Sequence, residues 1–365
     1  MEMAKIRHLF PGGNTPQGFF SYYNYIISTD ANRIFILKGG PGTGKSTFMR
    51  KIGEALVAQG YDAEFHHCSS DNNSLDGVVI PKLRVAFIDG TAPHIVDPKH
   101  PGCVDEILNL GEYWNEKGIA AHKSNIIDCT SEISKSYQRA YRFLKAAKLI
   151  YDDFAAINTE ALDIAKTNQV AHELVSKIFV RPKNPGSGKI RKLFASAITP
   201  DGPVNHLDSS VWCVGKCHVI NGDPGTGKST IVQKVINTAV TMGLDVEVYY
   251  CPLDPEKPEH VVIPELDTAV TTSSMPHVYR VLKTAPITSV NMNDYLNSAI
   301  IEKYQENILY NQQMFWELWA KTIACLQQSK QLHDQLETYY IPYMNFQGIQ
   351  DLWEKTLKRV LSYTN

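Results

Sequence analysis

Gly39-Gly40-Pro41-Gly42-Thr43-Gly44-Lys45-Ser46, followed by Thr47, satisfies the pattern G-x-x-x-x-G-K-[ST]. The chain satisfies it again in Gly222-Asp223-Pro224-Gly225-Thr226-Gly227-Lys228-Ser229, followed by Thr230. The spacing has a physical reason. Glycines let the backbone curl until successive N–H groups point inward at an anion, and the helix that follows presents its positive N-terminal end to the same charge. Lys45 and Lys228 would then reach the β- and γ-phosphates of a nucleoside triphosphate, and the Ser46 and Ser229 hydroxyls would ligate Mg²⁺. The bare pattern arises by accident in about one chain in a hundred of this length. Two copies in register argue for phosphate binding over a pair of glycine-rich turns.

The register extends well beyond the loops. Lys5-Ile6-Arg7-His8-Leu9-Phe10 returns as Lys189-Ile190-Arg191-Lys192-Leu193-Phe194, and Thr15-Pro16-Gln17-Gly18 as Thr199-Pro200-Asp201-Gly202, both at an offset of 184. From Gly39 to His94 the offset is 183 without a gap, with 23 identities in 56 positions. They include Gly60/Gly243, Cys68/Cys251, Asp71/Asp254 and Val78-Val79-Ile80-Pro81/Val261-Val262-Ile263-Pro264. A Pro/Gly-rich stretch, 181–188, separates the copies as a linker would. Two repeats result, 1–183 and 184–365, the division that chain length also favours.

Each repeat opens alike. Arg33–Lys38 and Lys216–Asn221 are short buried-strand candidates leading into the loops. Helices are expected over Ser46–Gln59 and Ser229–Met242, closed by Gly60 and Gly243. Second strands follow at Asp62–His67 and Asp245–Tyr250, and the first half adds a third at Arg84–Asp89. Thr130–Phe179 and Asn293–Leu361 have helical periodicity, and within them Lys148/Asp152 aligns with Lys330/Asp334 at an offset of 182. The expected fold is α/β: two pseudo-symmetric domains with mainly parallel sheets, each with an α-helical arm. Cores fall at about 5–94 and 189–277, arms at about 104–180 and 293–362. The segments of Phe10 and Phe194 are candidates to supply sheet strands across the halves, so that the two domains would not separate cleanly. Aromatic residues in the arms, such as Phe315, Trp316 and Trp319, read as a helix-hairpin core.

Composition narrows the function. The 365 residues carry a formal net charge of -2 and are 43% hydrophobic, which gives no basic field for nucleic acid and enough apolar material for two cores. No apolar run approaches the roughly 18 residues of a membrane span, and the first residues lack the apolar stretch of a signal peptide. Seven scattered cysteines read as reduced thiols of a cytoplasmic protein, not as a disulfide framework or a metal site.

The loops resemble those of P-loop NTPases. Together with Cys68-Ser69-Ser70-Asp71, Ser74-Leu75-Asp76-Gly77-Val78 and Asp89-Gly90-Thr91-Ala92-Pro93-His94, they resemble more narrowly an uncharacterised family of tandem P-loop ATPases of Gram-positive bacteria. The resemblance spans nearly the whole chain. It implies binding and hydrolysis of ATP, with GTP or another nucleoside triphosphate as alternatives, and brings no established substrate or partner.

Mg²⁺ in such sites also needs a carboxylate at the end of a neighbouring hydrophobic strand. Val85-Ala86-Phe87-Ile88-Asp89 fits, and the alternative is that Asp89 merely caps the turn with Gly90. The matching position in the second half is Thr272, so hydrolysis is expected at the first loop and binding or regulation at the second. Asp71 and Asp254, just past the second strands, are candidates to orient water or to accept a proton, against the alternative of a turn-forming Asp. His94 and His277 are candidates to sense the γ-phosphate, against a packed turn histidine. Arg7 or Arg191 could reach the other half as an arginine finger, or lie on a strand start as an ordinary basic residue. Three readings stay open: an ATPase whose two sites communicate through the arms, a small-molecule kinase with Asp71 as base, and a nucleotide-dependent assembly module.

Overall fold

The computed structural model describes residues 4–92, 95–180, 186–279 and 287–364. The first half runs β1 (Ile6–Leu9), β2 (Gly12–Thr15), β3 (Gly18–Ser21), β4 (Arg33–Lys38), α1 (Lys45–Val57), β5 (Ala63–Cys68), β6 (Asp71–Ile80), β7 (Val85–Asp89), β8 (Asp105–Asn109), α2 (Glu116–Ala120), α3 (Lys123–Ala161) and α4 (Ile164–Ile178). The second repeats that order: β9 (Ile190–Leu193), β10 (Ser196–Thr199), β11 (Gly202–Asn205), α5 (Leu207–Ser210), β12 (Lys216–Asn221), α6 (Lys228–Thr241), β13 (Val246–Cys251), β14 (Asp254–Ile263), β15 (Thr268–Ser273), β16 (Ile287–Asn291), α7 (Ser298–Lys303), α8 (Gln305–Thr338) and α9 (Phe346–Leu361). The place of α5 is taken in the first half by a single 3-10 turn, Tyr23–Tyr25, at the same offset of 184. Among the described residues no helix is long and apolar enough to cross a membrane.

Each half builds a six-stranded sheet, ordered β1-β5-β6-β7-β4-β8 and, in mirror listing, β16-β12-β15-β14-β13-β9. Pairings are parallel except at β6 and β14, which run antiparallel to both neighbours. The expected strand before each loop and the helix after it stand within two residues of their predicted ends. The ten-residue strands β6 and β14 were not expected. Asp71-Asn72-Asn73-Ser74 and Pro255/Pro258 read as turn chemistry, and only the ends near Val78-Val79-Ile80 and Val261-Val262-Ile263 are apolar and buried.

The helical arms change places. α9, from the end of the chain, packs Ile349 and Val360 into the first core beside Phe35, Phe48, Ile52 and Phe87. α4, from the first half, packs Ala171 and Leu174 into the second core beside Ile231, Val235 and Val246. The long helices α3 and α8 lie against each other between the two, with Ala140, Leu144, Phe315, Trp319 and Leu326 at their contact. Each half therefore supplies the outer helix of the other half's core.

A pseudo-two-fold axis runs between β1 and β9. Phe10 and Phe194, both fully buried, exchange backbone hydrogen bonds of 3.0 and 3.1 Å. The expectation that these segments supply sheet strands across the halves is not met. β1 pairs with β5 and β9 with β13, each within its own half, because their strand residues are taken up by those parallel ladders, and only this single bridge joins the halves here. Beside it, Arg7 and Arg191 each bind both Glu64 and Glu247, with Arg7–Glu64 at 3.0 Å and Arg191–Glu64 at 2.6 Å. Burial would raise the Glu64 carboxyl, but Arg191 and Arg7 hold it well below the usual carboxylate range. These arginines are structural cross-links on the axis, engaged by carboxylates, and not fingers directed at a phosphate.

Several histidines share this interior. His8 Nδ1 lies 2.8 Å from His67 Nε2, and the His67 and His206 rings are 4.5 Å apart across the halves. Burial, with a neighbouring histidine, lowers His67 to about 3 and His206 to about 4. Burial lowers His260 to about 3 and His277 to about 4 as well. Below the ordinary histidine value near 6.5 the unfolded chain takes up protons that the native state refuses, so stability is full above that pH and is lost as pH falls. Each histidine removes up to about 1.4 kcal/mol per pH unit between 6.5 and its native value. The urea midpoint should therefore drop steeply from pH 6.5 to 5; a flat profile across that range would contradict this account.

Candidate functional site

The first loop joins β4 to α1 on the carboxyl edge of the sheet, where ligands collect in folds of this kind. Gly42 and Gly44 have φ of 67° and 85°, values that only glycine adopts without strain, and they turn the chain into the N-terminus of α1. Lys45 Nζ donates to the carbonyls of Gly39 (3.0 Å) and Gly40 (2.9 Å) and stands 3.7 Å from Asp89 Oδ2. Asp89 ends β7, in parallel register with Leu37 of β4. Its two oxygens divide the work: Oδ1 accepts from Thr91 N at 2.9 Å and closes the turn, while Oδ2 faces Lys45. Ser46 Oγ accepts from Leu75 N at 2.9 Å, which ties the start of α1 to β6.

The second loop has the same backbone, with Gly225 and Gly227 at φ of 83° and 80°. Lys228 Nζ donates to Asp223 O at 2.7 Å. Thr272 sits in β15 beside Ile220, its N–H donating to His260 Nδ1 at 3.3 Å. No carboxylate stands there. One strand further, Glu259 is buried on β14 and its Oε2 has no hydrogen-bond partner among the described residues. Burial pushes the Glu259 carboxyl up, opposed by Lys228; burial pushes the Lys228 ammonium down, opposed by Asp223 and Glu259. Sequence reading missed this acid, although Asp76/Glu259 aligns at the 183 offset and would have shown it. Pro258 replaces Leu75, so the second loop has no counterpart of the N–H that holds Ser46.

Asp71 closes the β5–β6 hairpin. Its Oδ1 accepts from Asn73 N at 3.1 Å and its Oδ2 from Ser74 Oγ at 3.0 Å, while Lys330 of α8 lies 3.5 Å away. Asp254 repeats the arrangement with Lys148 of α3 at 3.7 Å. The two lysines that align in the repeat thus reach across to the two aspartates that align in it. His277 is buried, stacked on Tyr279 (6.2 Å) and edge-on to Trp319 (6.5 Å), so its neutral ring sits in core surroundings. His94 lies outside the described residues.

Each loop is covered from the other half. Over the first, Glu337 Oε1 of α8 accepts from Gly42 N at 3.2 Å. Side chains stand so close that a Cβ at Gly40 would meet Tyr340 at 2.9 Å and one at Gly42 would meet Ile341 at 2.8 Å. Over the second, Asn158 Nδ2 donates to Pro224 O (2.7 Å) and Thr159 Oγ1 to Gly225 O (3.1 Å). Short cross-half ladders fix both covers: Asn115 N to Tyr343 O (2.8 Å) and Asn345 N to Tyr113 O (2.7 Å), matched by Asp163 N to Tyr295 O (2.9 Å) and Asn297 N to Ala161 O (2.8 Å). Nothing in the repeat offset says that an arm crosses over, so these residues were invisible as site residues. The covers differ in composition; among the differences, the position of Glu337 is held by Ala155 at the second loop.

Comparison with models of protein families, with curated proteins and with solved structures found no match.

Proposed function

We propose that the protein is a P-loop ATPase that binds Mg-ATP at both loops and hydrolyses it mainly at the first, each loop reporting its state through the arm of the opposite half. The observation that carries this reading is the approach of Asp89 Oδ2 to Lys45 Nζ, 3.7 Å, at the N-terminus of α1. Lys45 and the loop N–H groups would hold the phosphates, and Ser46 and Asp89 would hold Mg²⁺ on the β7 flank. The metal supplies charge neutralisation at the phosphates. At the second loop nothing matches Asp89: the carboxylates that bear on Lys228 are Asp223, within the loop itself, and Glu259, from a different strand, which fits a site that binds nucleotide and turns it over slowly.

Communication has a physical basis. Glu337 accepts a hydrogen bond from Gly42 N, a donor that a phosphate oxygen also needs, so nucleotide binding and this contact compete. The kinase alternative draws less support, because both oxygens of Asp71 are engaged within its own turn and by Lys330. Phosphate release from Mg-ATP by the purified protein, first alone and then with a metabolite pool, tests the choice. Turnover without any acceptor is expected; a phosphorylated product that forms only with acceptor would replace the ATPase with a kinase.

A further inference from the structure

From the flanks of the first loop we infer that it carries a purine seat assembled from both halves, with Trp114 of the first and Tyr340 and Phe346 of the second as its walls. The inference rests on the phosphate-loop reading above and names the nucleoside that this loop prefers. β4 has two neighbours in the sheet, β7 on one side and β8 on the other. On that reading Asp89 and Lys45, 3.7 Å apart, would hold the metal and the terminal phosphates on the β7 flank. A nucleoside attached at the other end of the triphosphate leaves toward the β8 flank.

That flank is aromatic. The turn after β8 leads directly to Trp114, whose ring centroid is 6.4 Å from that of Tyr340 at an interplanar angle of 48°. Tyr340 lies against Gly40, and the ring of Phe346 is 3.7 Å from the Cβ position of Gly44. Trp114 and Phe346 remain 37% and 46% exposed, large apolar faces left open beside a polar loop. Backbone pairing of Trp114 with Met344 holds the two halves of the seat together. The second loop has no such walls: the aligned residues are Leu296, Asn158 and Ile164. The seat is therefore a property of the first loop alone. Stacking favours the larger π-face, so purines should bind better than pyrimidines.

The test uses the full chain with Lys228→Ala, so that the first loop is read by itself, and calorimetric titration with Mg-ATP, Mg-CTP and inorganic tripolyphosphate. Trp114→Ala and Tyr340→Ala should each weaken Mg-ATP by roughly tenfold and leave tripolyphosphate unchanged. Tyr340→Phe should restore Mg-ATP affinity, and Mg-CTP should bind more weakly than Mg-ATP before substitution. Equal loss of ATP and tripolyphosphate would mean that the aromatic residues only shape the loop, and no loss of either would mean that they touch nothing; both results overturn the seat. If the protein with Trp114 and Tyr340 intact binds neither ligand, the phosphate-loop reading fails first and the seat with it.

Discussion

Lys45→Ala is expected to lower ATP turnover by on the order of a hundredfold or more, while Lys228→Ala leaves most of it, within roughly tenfold of the starting rate. The difference follows from what surrounds each ammonium. Lys45 faces a carboxylate at the end of the adjacent parallel strand and carbonyls of its own loop, 2.9 and 3.0 Å away. On the proposed reading it would exchange those carbonyls for phosphate oxygens as charge develops. Lys228 is more deeply buried, bonded to Asp223 O, with Thr272 where a metal-holding carboxylate would stand. Steady-state phosphate release by the two variants measures the contrast. Rates equal in both variants and the unaltered protein would refute the asymmetry, and a larger loss in Lys228→Ala would reverse it, making Glu259 the working acid.

The second large effect concerns folding. The fragment 189–365 should not fold cooperatively by itself. It keeps α9 but loses the surface on which α9 rests, so Ile349, Val360 and the partly buried Leu352, Trp353 and Leu357 face water. It also loses α4 from its own core, and Arg191 and Glu247 lose Arg7 and Glu64. At about 1.5–3 kcal/mol for each large apolar side chain, the exposed face of α9 alone amounts to on the order of 5–10 kcal/mol. That is comparable with the whole stability of an ordinary domain, about 5–15 kcal/mol. Thermal unfolding followed by circular dichroism should show a broad, non-sigmoidal loss of helix. Mixing with the complementary fragment 1–188 should restore a cooperative transition. A sharp melt for 189–365 by itself would show that the exchange of helices is not needed for stability.

How much of this was legible in the sequence differs from element to element. The elements next to the loops were, because they are set locally: Arg33–Lys38 is a short apolar strand, and the helix after Lys45 ends at Val57, in the turn closed by Gly60, whose φ is 87°. Asp89 was legible for the same reason, a carboxylate closing an apolar run. β6 was hidden because half of it is polar and partly exposed, held to the sheet by backbone pairing and not by side-chain pattern. The crossing of the arms was hidden for a deeper reason. A repeat offset relates each residue to its copy but is blind to which copy it touches. Lys148 and Lys330 were recognised as equivalent, yet their partners Asp254 and Asp71 lie in the opposite halves. One clue was available: α3, at 39 residues, is about 58 Å long and cannot fold back within a single small core.

The exchange of arms also bears on ancestry. A polypeptide with one repeat would have no cover for its own loop and no partner for its outer helix, so it could function only as a symmetric pair of identical chains. In such a pair every substitution is made twice. Joining the copies through one peptide lifts that constraint: Asp89 can persist opposite Thr272, Glu337 opposite Ala155 and Trp114 opposite Leu296. The fused chain can then specialise its two loops, while the quartet of Arg7, Glu64, Arg191 and Glu247, which both copies still need, keeps its twofold form.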